Sequence, residues 1–290
     1  MEAGQINKIG IVYAGCGVKA AAELSFAKQI IDKVGYERIS VVSGSSLSSL
    51  NAYATGCKCI NNVLNVYNTF GFNNILTFNN KHRKELTKNI FDCFDGSNLE
   101  IKTYVSATNL KSFKANYFCM NNAFESHKKA LIKLSTGFPM YIGLQSFDNS
   151  IYLSGTVSDN YPLLPLIDED LDMVIILHAN PKYYPPLDFY KKIKKGTVVV
   201  DVDVSLHLSN KIRIFSVSKN AISEMIHVGE TDGWNFANYI FLDFAKNNVR
   251  ERVYEYVSSN LEDRNKKDID GSSVILNVFN VLYDMKEDNL

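Results

Sequence analysis

The chain has 290 residues, of which 46% are hydrophobic and 21% are charged, and it contains only 6 prolines. This composition predicts a globular protein with a sizeable core and no long disordered stretch. Basic and acidic residues number 31 each, so no net charge attracts nucleic acid or an anionic membrane to the protein as a whole. We therefore expect no nucleic-acid partner.

Targeting and redox features of the sequence point to the cytoplasm. No basic N-terminal segment leads into an apolar run, and no stretch of about 18 apolar residues occurs, so we expect neither a signal peptide nor a spanning helix. The five cysteines are odd in number and follow no disulfide-framework spacing, which favours a reducing compartment. Basic runs at residues 81–84 and 191–195 leave a peripheral membrane contact open.

Strand and helix patterns alternate in the first part of the chain. Residues 8–13 form a short β-branched run that predicts a buried strand, and residues 18–34 place apolar side chains at the three- and four-residue steps of a helix. A second strand is predicted at residues 39–42, followed by a helix up to residue 56. Residues 61–94 predict a mostly helical lobe over the sheet.

The same alternation continues towards the C-terminus. Strands are predicted at residues 101–107 and 173–178, with amphipathic segments between them. Alternating strands and helices indicate an α/β fold with a mainly parallel sheet covered on both faces. Helices are predicted at residues 250–261 and 273–285. We expect one domain at residues 1–249 and a helical extension at residues 250–290.

Residues 44–48, Gly-Ser-Ser-Leu-Ser, nearly fit the G-x-S-x-G elbow, a tight strand-to-helix turn that exposes a serine hydroxyl above the sheet. Ser46 is the candidate nucleophile, placed at a helix N-terminus where backbone N–H groups favour developing negative charge. Ser48 replaces the last glycine of the pattern. A plain turn or helix cap is the alternative interpretation of such a cluster.

A second loop, residues 15–20 (Gly-Cys-Gly-Val-Lys-Ala), follows the first strand and opens the first helix. The backbone N–H groups of Gly15, Cys16 and Gly17 are candidates for an oxyanion hole facing Ser46. A dinucleotide-binding loop is the competing interpretation. It is disfavoured because Ala20 occupies the third glycine position and no acidic residue follows the second strand.

Together with two later blocks, these loops resemble the patatin-like phospholipase family of lipid acyl hydrolases. The elbow and the oxyanion loop are similar to those of the family, residues 134–139 to its A-S-x-x-x-P stretch, and residues 152–162 to its D-G-G-x-x-x-N-x-P segment. The similarity keeps the same order over residues 8–240. It implies a three-layer α/β fold, a Ser–Asp dyad, a lipid or acyl ester substrate, and no metal or organic cofactor.

The sequence departs from the family pattern at the catalytic aspartate, whose position is Ser154. A serine hydroxyl cannot serve as a general base near neutral pH as a carboxylate does. Cys16, Ala20 and Ser48 also replace motif glycines. We therefore expect weak or absent hydrolysis, with the protein acting by binding a lipid, an acyl chain or a partner protein. The sequence does not address the oligomeric state.

Other residues are candidates for the catalytic groups of an active enzyme. Asp159 and Asp148 are candidate substitute bases for a serine esterase or phospholipase, provided that either carboxylate comes within about 3 Å of Ser46. Lys19 is a candidate base if it is buried, although we expect an exposed residue at a helix start. Cys16 is a candidate nucleophile if its helix-start position lowers the thiol pKa.

Overall fold

The computed structural model describes residues 4–70, 98–136, 144–212 and 218–266. Its strands form one sheet. In chain order they are β1 (Ile9–Tyr13), β2 (Ile39–Ser45), β3 (Lys102–Asn109), β4 (Ala115–Cys119), β5 (Gln145–Phe147), β6 (Ser150–Ser154), β7 (Met173–His178) and β8 (Val198–Asp203).

Seven helices in the described residues separate and follow these strands. They are α1 (Ala20–Val34), α2 (Ser48–Gly56), α3 (Ile60–Phe70), α4 (Glu125–Thr136), α5 (Leu187–Lys192), α6 (Lys219–Ile240) and α7 (Lys246–Lys266). Short 3-10 turns occur at Gly17–Lys19, Tyr36–Arg38, Met120–Asn122, Gly155–Val157 and Leu164–Leu166.

The sheet combines a parallel centre with an antiparallel edge. Strands β3, β2, β1, β7 and β8 lie side by side and all run parallel, whereas β4 and β6 pair antiparallel with β3, and β5 with β6. The carboxyl ends of the parallel strands therefore share one edge, where open α/β sheets bind their ligands. The predicted α/β fold with a mostly parallel central sheet is confirmed.

Both faces of the sheet are covered, because successive side chains of a strand point to opposite sides. On β1, Ile11 and Tyr13 belong to a large core shared with α1, α2, α3 and α6. Val12 between them belongs to a smaller core, which is closed by α5 and the chain around the turn Leu164–Leu166. This arrangement confirms the prediction of helices on both faces.

Helix α6 lies unusually close to α1 because two glycines, one turn apart, face it. A methyl group on Gly229 would lie 2.4 Å from the carbonyl oxygen of Ala22, and one on Gly233 would lie 2.8 Å from Cα of Phe26. The two backbones are thus nearly in contact. The long helix α6 is held firmly beside the sheet.

Helix α7 packs against the outer parallel strand β8. Val249 and Val253 are buried, and Nη1 of Arg264 lies 2.6 Å from Oδ2 of Asp201 on β8. The predicted helical C-terminal segment is confirmed as far as residue 266. The predicted domain boundary after residue 249 falls within α7, and the helix predicted at residues 273–285 lies outside the described residues.

The remaining predictions of elements differ in outcome. Helix α3 confirms the first part of the helical lobe predicted at residues 61–94; the rest of that lobe, like the basic run 81–84, lies outside the described residues. Strands β4, β5, β6 and β8 were not predicted. Among the described helices, none has the length and apolar character needed to cross a bilayer.

Candidate functional site

The turn that carries Ser46 has the backbone of a strained elbow. Strand β2 ends at Ser45, α2 begins at Ser48, and Ser46 between them has a φ of 56°. Positive φ is uncommon for any residue other than glycine and is held only where surrounding packing enforces it. Ser46 remains partly exposed to solvent. The strand–serine–helix geometry expected for a nucleophile elbow is therefore present.

Close packing around Gly44 enforces this turn. A methyl group on Gly44 would lie 2.6 Å from the carbonyl oxygen of Ser48 and 2.7 Å from Cα of Ser49, so the strand and helix backbones leave no room for a side chain. Ser48, which replaces the last motif glycine, fits because its hydroxyl is buried and donates a 2.6 Å hydrogen bond to Glu23. The altered motif still forms the turn.

The loop after β1 meets the elbow at Gly15. A methyl group on Gly15 would lie 3.2 Å from Cβ of Ser46 and 2.5 Å from Oδ1 of Asn160. The N–H of Gly15 donates a 3.0 Å hydrogen bond to the Asn160 carbonyl, so it is not available to an oxyanion. The prediction that Gly15 lies beside Ser46 agrees with this geometry, but its role as an oxyanion donor does not.

Three other backbone N–H groups belong to the loop after β1 or to the elbow itself. Those of Cys16, Gly17 and Leu47 have no hydrogen-bond partner within the described part of the chain. Gly17 has a φ of 60°, which turns the loop into its 3-10 segment. Leu47 lies outside the predicted oxyanion loop, but the residue after an elbow serine commonly supplies one oxyanion donor.

Cys16 fits the loop after β1 although it replaces a motif glycine. Its φ of −132° is open to any residue, so this position does not require glycine. The side chain is buried, with Sγ 3.7 Å from Oγ of Ser48. Burial, and then the charge of Glu23, raise the thiol pKa well above its usual value, which argues against Cys16 as a nucleophile.

Ser154, at the position of the family's aspartate, ends β6 and is buried opposite Ala107 of β3. Its Oγ lies 3.1 Å from Oγ1 of Thr156. The next residue, Gly155, crosses towards the elbow, where an added methyl group would lie 2.7 Å from Oγ of Ser45. Position 154 therefore carries a hydroxyl paired with another hydroxyl, and within the described residues no carboxylate hydrogen-bonds to Oγ of Ser46.

The main-chain carbonyl of Asp159 hydrogen-bonds to the elbow, whereas its carboxylate hydrogen-bonds to other residues. Ser45 Oγ donates to the Asp159 carbonyl at 3.0 Å. The carboxylate accepts 2.5 Å and 2.9 Å hydrogen bonds from the Tyr117 hydroxyl and the Tyr161 N–H. Burial raises the pKa of Asp159 to about 6, and these two hydrogen bonds limit the rise. Neither partner was foreseen, since nothing in the sequence marks them.

Asp148 lies at the wrong end of its hairpin to act as a base. Asp148 and Asn149 form the two-residue turn between β5 and β6, with φ values of 47° and 57° typical of a type I′ turn. Asp148 is exposed, and the four residue steps of β6 from Ser150 to Ser154 span about 13 Å. The structure therefore contradicts the prediction that Asp148 could substitute for the missing aspartate.

A buried polar cluster lies beneath the elbow. Lys19, expected to be exposed, is only 5% exposed. Glu23 on α1 is fully buried and accepts hydrogen bonds from Ser48 Oγ and Asn51 Nδ2, at 2.6 Å and 3.3 Å. Burial raises the pKa of Glu23 to about 8, partly offset by these hydrogen bonds. The sequence had given no signal for this carboxyl group, which sits in an apolar helix.

Comparison with known proteins finds similarity in three dimensions only at a distant level. No family model matches the chain, and no curated protein matches it. Among solved structures, the chain is similar to the crystal structure of VipD from Legionella pneumophila, with a TM-score of 0.39 and 8% sequence identity, over 79% of this chain and 67% of that one.

Proposed function

We propose that this protein is a degenerate relative of the patatin-like lipid acyl hydrolases. In this proposal it binds a lipid or acyl ester at Ser46 and hydrolyses it weakly or not at all. The observation that carries the proposal is the strained turn at Ser46, whose φ is 56°, together with a hydroxyl in place of a carboxylate at position 154.

A site that keeps its backbone N–H donors but lacks a proton acceptor could still bind an ester. An ester carbonyl above Ser46 would find the N–H groups of Cys16, Gly17 and Leu47 as possible donors, and such donors stabilise a developing oxyanion. Attack by Oγ also requires a group that accepts its proton, and Ser154 does not supply one. Loss of a general base commonly lowers a rate by about 10²- to 10⁴-fold.

Asp159 supports a second candidate function, an active serine esterase or phospholipase. Its main chain is hydrogen-bonded to Ser45, one residue from the candidate nucleophile, and its pKa of about 6 leaves it mostly ionised at neutral pH. To act as base, its carboxylate would have to leave Tyr117 and Tyr161 and turn towards Ser46. This candidate predicts an activity that rises through pH 6 and disappears on Asp159→Asn.

A hydrolysis and binding assay distinguishes the two functions. Purified wild type, Ser46→Ala and Asp159→Asn are incubated with short- and long-chain acyl esters, and the binding of a fluorescent fatty acid is titrated in parallel. Ser146→Ala, at an exposed position of β5, is the matched control. We expect saturable binding with slow turnover. Rapid turnover that is lost in both Ser46→Ala and Asp159→Asn would establish the active enzyme instead.

A further inference from the structure

Helix α5, which covers the smaller core, exposes two large side chains to solvent. Phe189 on the helix and Ile193 just after it are buried and hold this segment against the sheet. Leu187 and Tyr190, by contrast, are 76% and 46% exposed. They lie three residues apart, so the same helix face presents both of them. The packing of α5 therefore leaves much of an apolar pair in water.

The segment that contains this pair is rich in lysine. Its five lysines are Lys182, Lys191, Lys192, Lys194 and Lys195, and all of them are exposed. Residues 182–195 hold one acidic residue, Asp188. Lys191 lies four residues after Leu187, so it shares the exposed helix face with the apolar pair. The segment therefore has a local excess of positive charge, although the whole chain has none.

Nearby carboxylates neutralise only part of this charge. Asp188 meets Lys191 at 3.3 Å, but the two side chains are 77% and 73% exposed, and ion pairs in such positions are weak. Lys194 pairs with a carboxylate of the loop before β7. Lys192 and Lys195 have no acidic partner in the part of the chain that the structure describes. Their charges are therefore available to a partner.

An anionic lipid bilayer is the partner whose chemistry matches both features. Clusters of lysine on amphipathic segments are attracted to the negative surface of such membranes. Leucine and tyrosine side chains enter the boundary between headgroups and acyl chains, where the tyrosine hydroxyl still reaches water. A nucleic acid would bind the lysines through its phosphates but would offer Leu187 no apolar layer. The combination of charge and apolar surface thus favours a membrane.

We infer that α5 docks this protein on an anionic bilayer. Leu187 and Tyr190 enter the headgroup layer, and the lysines of residues 191–195 lie against its negative groups; together these residues form the docking surface. Helix α6 packs in the core on the other face of the sheet, so it points away from the membrane in this arrangement. The inference does not depend on ester binding or on any reaction at Ser46.

Co-sedimentation of the full chain with lipid vesicles tests this inference. Equimolar phosphatidylcholine–phosphatidylserine vesicles are compared with pure phosphatidylcholine vesicles, and single-stranded oligothymidine serves as the nucleic-acid probe. We expect binding to the anionic vesicles alone. It should weaken strongly at about 1 M salt, where the Debye length falls to about 3 Å. Ser46→Ala should bind these vesicles as wild type does.

Substitutions in the docking surface separate its two contributions. Lys192→Gln/Lys195→Gln should lower the partition coefficient about 25-fold, which is about fivefold for each lysine at an anionic surface. Lys111→Gln/Lys114→Gln removes the same charge from the exposed turn between β3 and β4 and should bind as wild type. Leu187→Ala should lower binding about tenfold, because it withdraws apolar surface from the headgroup layer.

Tryptophan fluorescence measures the orientation of the docked protein. The chain has one tryptophan, Trp234 on α6, which is 58% exposed. Tyr190→Trp combined with Trp234→Phe moves the only tryptophan to the docking surface. We expect phosphatidylserine vesicles that also contain phosphatidylcholine brominated on its acyl chains to quench the fluorescence of this double variant and not that of wild type.

The outcomes decide the inference in both directions. Anionic vesicle binding that falls in Lys192→Gln/Lys195→Gln and in Leu187→Ala, and is kept in Lys111→Gln/Lys114→Gln, supports it. Absence of binding, equal binding to phosphatidylcholine vesicles, tighter binding to oligothymidine, or unchanged binding in either docking-surface variant would each overturn it. So would loss of binding in Ser46→Ala, or stronger quenching in wild type than in the Tyr190→Trp double variant.

Discussion

The two sides of the Ser46 site differ in how closely they match the hydrolase motifs that the sequence resembles. On the elbow side, Gly44 and the φ of 56° at Ser46 keep a turn that is useful mainly for presenting a nucleophile. On the opposite side, Ser154 and Thr156 pair their hydroxyls where a carboxylate is expected. The difference shows that backbone packing forms the turn at Ser46 without a carboxylate at position 154.

Restoring the carboxylate should produce the largest effect. Ser154→Asp is expected to raise Ser46-dependent ester turnover by about 10²- to 10⁴-fold, because it supplies the general base on the side where it is missing. Steady-state rates on acyl esters measure the gain, and the double variant Ser154→Asp/Ser46→Ala should lose it. An unchanged rate in folded Ser154→Asp would show that the two sides do not face one another productively.

Adding a methyl group to the elbow should be the next largest effect. Gly44→Ala places Cβ 2.6 Å from a backbone oxygen of α2, so we expect a loss of about 3 kcal/mol in the free energy of unfolding. Gly4→Ala, where an added Cβ meets nothing within 4 Å, should change stability by less than about 0.5 kcal/mol. Equal denaturation midpoints for the two variants would refute the tight elbow.

Asp159 should make the free energy of unfolding depend on pH. Its folded pKa of about 6 exceeds the usual 3.8, so folding favours the protonated form. This contribution, roughly 2 to 3 kcal/mol, is fully present below the unfolded pKa and is lost as pH rises through about 6. Unfolding of Asp159→Asn, measured from pH 4 to 8, should lack this loss. Parallel curves for wild type and variant would contradict it.

Relief of strain at Ser46 should give the smallest effect. Ser46→Gly and Ser46→Ala both remove the hydroxyl, but only glycine adopts a φ of 56° without cost. We expect Ser46→Gly to be about 1 kcal/mol more stable than Ser46→Ala in chemical denaturation. The reverse order would mean that the elbow is not strained.

Much of the parallel centre of the sheet was predictable from sequence. The apolar runs that form β1 and β7 are buried on both faces and read as strands, and the elbow follows β2 as its motif indicates. Strand β8 was missed because its run contains Asp201 and Asp203. Their burial depends on Arg264 and Ser205, which only the fold brings to them.

The parts of the site formed by local backbone motifs were predictable from sequence. The parts formed by side chains distant in sequence were not. Gly15 and Ser46 belong to local motifs, and they do lie side by side. The hydrogen bond from Tyr117 to Asp159 joins β4 to the segment after β6, a pairing set by the sheet alone. Asp148 is only six residues from Ser154 in sequence, but the two residues lie at opposite ends of strand β6, which is why Asp148 is a poor candidate.

The most direct test of the central claim is the rate at which a fluorophosphonate probe labels Ser46 in wild type and in Asp159→Asn, with the modified residue located by mass spectrometry. A serine in an intact elbow without a working base should be labelled slowly, and at the same rate in both proteins. Rapid labelling of the wild type that Asp159→Asn abolishes would contradict the account and identify an active hydrolase.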